Sequence, residues 1–155
     1  MIEIHRSNNA DTRTADHLVT KEELLCNSRR HIYDVTQAMS FFAGRLWLAA
    51  QRHDHTKLTE INQFYEDFQK AQQHEGDFTS LPWYQLHITS ERHHLCNRVP
   101  DDVNLIDVME WIADNVMAGM ARSGDVRVES LSPDVLTRAV QNTIELLRNE
   151  VHVTQ

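Results

Sequence analysis

Apolar residues in this chain recur three and four positions apart and almost nowhere two apart, and that spacing commits most of the backbone to helices. Leu24, Leu25, Ile32, Val35, Met39, Phe42, Leu46 and Ala49 form the first such series. Thr20 stands before it as an N-cap, with Glu22 and Glu23 in the first turn, where unpaired N–H groups favour negative charge. The pattern predicts a helix over 21–51, with Asn27 and Ser28 as the place where it could break. Leu58, Ile61, Phe64, Tyr65 and Phe68 predict a second over 57–72, and the turn-like run HEGDFTSLP separates it from a third over 83–96. Asn104 or Asp102 caps a fourth that runs to about Arg122, and Ser132-Pro133-Asp134 opens a last one over 133–149. Only VRVES, at 126–130, alternates like a strand, and it is too short to build a sheet. The expected fold is all-α: a single compact bundle of five to six helices over residues 19–150, with 1–18 as an N-terminal arm and 151–155 as a C-terminal tail.

With 155 residues the chain has the length of one domain, able to bury roughly two-thirds of the surface that its unfolded form exposes. A net charge of −8 offers no general attraction for duplex nucleic acid or an acidic membrane, and no apolar run is long enough to span a bilayer. A small phosphorylated ligand in a local basic pocket remains compatible with it. Cys26 and Cys96 are too few for a disulfide-stapled secreted fold, and the first residues lack the apolar core of a signal peptide. Both features point to reduced thiols in a cytoplasm. A homodimer is compatible with an apolar face on the last helix larger than one core can cover.

Ten histidines stand out, seven of them between His31 and His94. His31 adjoins the inward stripe of the first helix. His53 and Asp54 follow where that helix should end; adjacent side chains reach one ion only if the backbone turns there. Lys57 comes one turn later. On the expected third helix His87, Glu91 and His94 fall at i, i+4 and i+7, with His93 as the alternative to His94. On the fourth, Asp107, Glu110, Trp111 and Asp114 share a face and must be solvated, ion-paired or bound to cations. Imidazoles and carboxylates from four separate segments are the donor set of a borderline divalent metal.

In this order, an early His, a His-Asp pair and a distant Asp, the chain resembles the HD-domain superfamily of metal-dependent phosphohydrolases. His31, His53, Asp54 and Asp107 match its four basic positions. The run HDHTK puts Lys57 where many members carry a phosphate-side lysine, and Thr56 where they usually have glycine. His87 and one of His93 or His94 match histidines that bind a second metal in some members. HDHTK, RHH at 92–94 and LIDVMEWIAD are similar, more narrowly, to a small uncharacterised family of phages and bacteria. The resemblance covers about residues 25–122.

It implies an HD-domain-like bundle that hydrolyses a small phosphate ester or anhydride, commonly in a nucleotide. One or two divalent ions (Mn, Co, Fe, Mg or Zn) would be held by His31, His53, Asp54, His87, His94 and Asp107. Lys57 would offset phosphate charge, with Arg92 or Arg122 assisting. Glu110 or Glu91 would orient a water, take its proton or hold a ligand histidine in its tautomer. Trp83, Tyr84 and Trp111 could stack on a base or belong to the core. Two other expectations stand beside this one: a diiron oxygenase of the same fold, and a non-catalytic protein that holds a metal for stability.

Overall fold

A capping box opens the first helix: the Thr20 hydroxyl accepts from Glu23 N–H at 3.2 Å, and the Glu23 carboxylate accepts from Thr20 N–H at 2.9 Å. Helix α1 then runs without a break at Asn27 or Ser28 over Lys21–Arg52 in the computed structural model, which describes residues 1–6, 15–126 and 129–154. None of its residues is buried. Next come α2 (His55–Thr59), α3 (Ile61–Gln72), a 3-10 turn (Phe78–Ser80), α4 (Pro82–Ser90), α5 (Leu105–Ser123) and α6 (Pro133–Arg148). The all-α expectation holds: apart from one two-stranded sheet, the regular structure of the described residues is helical.

Two of the expected helices differ in extent. The second starts at His55 and is interrupted at Glu60, whose φ of −110° and ψ of 31° are not helical. The third stops at Ser90 rather than 96. Glu91 turns extended, at φ −88° and ψ 122°, and the carbonyl of Thr89 is taken by the Arg98 guanidinium at 2.9 Å instead of by a following turn of helix. Residues 91–98 are turns held by Leu95 N–H to His93 O at 2.8 Å and Arg98 N–H to His94 O at 2.9 Å. The fourth and last helices match their expected caps. Asn104 accepts from Ile106 N–H at 2.9 Å, Gly124 closes α5 at φ 70°, and the Ser132 hydroxyl accepts from Val135 N–H at 3.3 Å.

The chain divides into two units, Met1–Arg45 with Thr143–Gln155, and Leu46–Asn142. The first contains β1 (Ile2–His5) and β2 (Val151–Thr154), which pair in parallel with Ile2 opposite Val151 and His5 opposite Thr154. An ion pair between the Met1 ammonium and Glu150 flanks this ladder. Ile2–His5 of the expected N-terminal arm and Val151–Thr154 of the expected C-terminal tail are therefore joined as strands. Arg127 and Val128 of VRVES lie outside the described residues; Val126, Glu129 and Ser130 are irregular.

The second unit has a core of Leu95, Val103, Val108, Val135 and Ala139. A separate aromatic cluster joins α3, the 3-10 turn and α4, with Phe64 and Trp83 stacked at 3.8 Å and Phe78 packed against both. Asp67, fully buried, fixes this arrangement. Its carboxylate accepts from Trp83 N–H at 2.9 Å, so a side chain of α3 caps α4, whose own N-cap Leu81 has no side-chain acceptor. Gln63 and Lys70 donate to its other oxygen. Both cysteines are free and exposed, and no helix among the described residues is long and apolar enough to cross a membrane.

Candidate metal centre

Asp54 sits between α1 and α2 in the left-handed region, at φ 55° and ψ 25°. That reversal is what the sequence required: it ends the helix and lets His53 and Asp54 face one point although they are neighbours. An Asp at an N-cap usually spends its carboxylate on the helix N–H groups, but Asp54 makes no such bond. One of its oxygens pairs with Lys57. The other, Oδ1, is buried and receives no hydrogen bond.

Four histidines surround this carboxylate. His87 Nε2 is 3.3 Å and His93 Nε2 3.6 Å from Oδ1, and His53 Nε2 is 3.4 Å from Oδ2. His94 Nε2 lies 2.8 Å from His87 Nε2. Two overlapping groups result, His53–Asp54–His93 and Asp54–His87–His94, each with one donor atom per residue and those atoms within 4.8 Å of one another. His93 Nε2 is also buried without a hydrogen bond. Its Nδ1 lies 3.2 Å from Glu110 Oε1, close enough for electrostatic attraction but misaligned for a hydrogen bond. Buried polar atoms left unpaired are costly, so their convergence on one spot fits a cation.

The site is held from behind. Glu110 on α5 also reaches His53 Nδ1 at 3.0 Å, and Asp114, one turn on, lies 3.6 Å from His53 Nε2. Glu91 accepts from both the backbone N–H and the hydroxyl of Thr56, at 2.9 and 2.7 Å, and that hydroxyl is 2.7 Å from His87 Nδ1. Trp83, 2% exposed, stacks on the His87 ring at 4.8 Å.

Charge follows from these contacts. Burial favours the acid form of Asp54, yet Lys57, then His53 and His87, hold its pKa below the ordinary carboxylate range. Burial, reinforced by His93 and His87, pushes His94 down to about 4, and burial also lowers His87. Both rings are neutral at pH 7, the form that binds metal. Burial works against a charged His93, but Glu110, Asp54 and Asp114 outweigh it and raise its pKa.

Of the expected ligands, His53, Asp54, His87 and His94 come together, and His93, the alternative to His94, lies beside them, so that each of the two belongs to one of the groups. His31 and Asp107 are in neither group. His31 is exposed on α1 within the first unit. Asp107 is buried, but Arg92 binds it in a two-point fork at 2.7 and 2.8 Å and Asn104 N–H donates to it at 2.9 Å. Both of its oxygens are therefore committed to capping α5 and to this ion pair. Arg92, with a third bond to Asp102 at 3.0 Å, is correspondingly tied to protein carboxylates and not free for a phosphate.

A cavity of about 500 Å³ opens on His87, His93 and His94 and is lined also by Lys57, Arg122 and aromatic rings. Trp83 is too buried to offer a ring face to a base; Tyr84 and Trp111 line the same cavity. A second, apolar cavity of about 370 Å³ ends on His53, Glu110 and Asp114. Thr56 holds His87 and Glu91 together and Asp67 ties α3 to α4, contacts that no spacing announces, because a polar residue reveals its partners only once the fold is known. Compared with protein-family models, curated proteins and solved structures, the chain matches none.

Proposed function

We propose that this protein is a metal-dependent phosphohydrolase whose centre is the Asp54 cluster, with one or two divalent ions held by His53, Asp54, His87, His93 and His94. The observation that carries the reading is the buried, unpaired Oδ1 of Asp54 facing the Nε2 atoms of His87 and His93. Such an ion would supply Lewis acidity and a water acidified toward neutral pH.

The chain's own groups account for the rest. Lys57 and Arg122 line the larger cavity beside the histidines and would offset the charge of a phosphate placed there. Glu110 stands 3.0 and 3.2 Å from His53 and His93 and would hold those rings in orientation as well as accept a proton. Phe64, Phe68, Phe78, Trp83, Tyr84 and Trp111 give the cavity an aromatic wall. A small phosphate ester or anhydride, such as a nucleotide, fits its volume, with Lys57 and Arg122 as the cationic groups in a lining that also carries Asp114 and Glu129.

The test is metal content after gentle purification, followed by phosphate release from a panel of nucleoside mono-, di- and triphosphates and cyclic nucleotides with Mn, Co, Mg and Fe. Asp54→Ala should lose both metal and turnover while keeping its helicity. Full activity in that variant would remove the centre. The second cavity favours one other reading, an iron oxygenase with an apolar substrate. Oxygen consumption without phosphate release would select it.

A further inference from the structure

The Thr56 hydroxyl lies 2.7 Å from two atoms, Glu91 Oε1 and His87 Nδ1, and it has a single proton to give. Glu91 Oε1 already accepts the backbone N–H of Thr56 at 2.9 Å and has His55 Nδ1 at 3.0 Å, so it serves as an acceptor in every contact it makes there. The hydroxyl proton therefore goes to Glu91. The hydroxyl oxygen is then left to accept, and among the described residues the donor that can fill it is Nδ1–H of His87.

From this donor count we infer that Thr56, oriented by Glu91, locks His87 in its Nδ1–H tautomer and so presents an unprotonated Nε2 to Asp54 and His94. Thr56 is a positioning residue that acts through His87. Neighbouring geometry agrees with that assignment. His87 Nε2 faces Asp54 Oδ1 at 3.3 Å, where a lone pair suits a shared cation, and it accepts a hydrogen bond from His94 Nε2–H at 2.8 Å whose proton a metal would replace. Stacking on Trp83 fixes the plane of the ring, while Thr56 fixes which of its nitrogens carries hydrogen. Thr56 and Glu91, 4% and 6% exposed, are sealed from water that could otherwise exchange these roles. A glycine at position 56 could keep the backbone bond to Glu91 but would leave His87 Nδ1 without its acceptor.

The inference rests on the metal reading for its purpose, but the tautomer can be read without metal. In the chelator-treated full-length chain at neutral pH, long-range proton–nitrogen NMR should show His87 protonated at Nδ1 in the wild type and in Thr56→Ser. In the near-isosteric Thr56→Val the signal should move to Nε2–H or to a mixture. An Nε2–H His87 in the wild type overturns the inference, as does an unchanged tautomer in Thr56→Val. Titrated with Mn or Zn, Thr56→Val should bind about 10–100-fold more weakly, the usual effect of losing such a support, and Thr56→Ser should bind as the wild type does. Equal affinity for all three overturns the positioning role. Absence of metal binding by the wild type itself would sink the proposed function, while the NMR result would still decide the tautomer.

Discussion

Oδ1 of Asp54 stands 3.3 Å from Nε2 of His87 and is buried without a hydrogen bond, as is Nε2 of His93 3.6 Å from it. Buried polar atoms without partners oppose folding, and a cation shared between them would offset that cost. Binding to the folded form alone should therefore raise stability. At a metal concentration a hundredfold above its Kd the gain is about 2.7 kcal/mol, which for a chain of this size shifts Tm upward by about 5–10 °C. Calorimetry with and without EDTA measures this, and identical melting curves would count against the site.

The backbone at Asp54 separates fold from function. A left-handed residue other than glycine costs about 1–2 kcal/mol, eased for Asp and Asn. Asp54→Gly and Asp54→Asn should both unfold at higher denaturant than Asp54→Ala, by about 1 kcal/mol, and none of the three should retain wild-type metal affinity. Urea titrations paired with elemental analysis test both halves.

Arg92 should behave as a structural residue. Its loss leaves Asp107, 3% exposed, with only backbone donors. Arg92→Met should cost about 2 kcal/mol, less than a fully buried pair because part of the guanidinium meets water. Metal content per folded molecule should not change, and restoring stability with Asp107→Asn in the same chain would confirm the pairing.

Lys57 is half-exposed and neutralises Asp54 beside the cavity. In Lys57→Met, metal should be retained and bound at least as tightly, since a positive neighbour is gone, while phosphate release falls by about tenfold or more. Unchanged turnover would remove Lys57 from the site.

Acid should weaken the metal-free chain before ordinary carboxylates titrate. His94 and His87 have folded pKa values below the unfolded value of about 6.5, so the unfolded chain binds more protons between the two. Their contribution is complete above about pH 6.5 and drains as pH falls toward the folded value, about 4 for His94. Asp54, Glu91 and Glu110, also lowered, lose theirs in the same direction once pH drops below their unfolded values near 4. His93, raised, has the opposite sign: its contribution is present below about 6.5 and is lost as pH rises through its folded value. The urea midpoint should fall from pH 7 to pH 5, and His94→Gln should flatten that slope.

Helices were legible because each carries its own signal: the Thr20 and Asn104 caps, Gly124 and the apolar spacing are local. Strands β1 and β2 were not, since four residues pairing with four at the far end of the chain leave no periodic trace. His53 and Asp54 of the candidate centre were legible in the run HDHTK, where the chain itself brings the groups together. His87 and His94 were found for a reason that does not hold, as the helix meant to align them ends at Ser90 and a turn does the work instead. A carboxylate on an apolar helix asks for a cation without saying which, and at Asp107 the structure places the Arg92 guanidinium. His31 lies in the other unit of the chain, on a helix with no buried residue.

The parallel register of Ile2–His5 with Val151–Thr154 has a mechanical consequence. Traction applied at the two extremities would slide one strand along the other, loading every rung at once instead of peeling them singly. A tether attached there would meet its resistance first in those rungs.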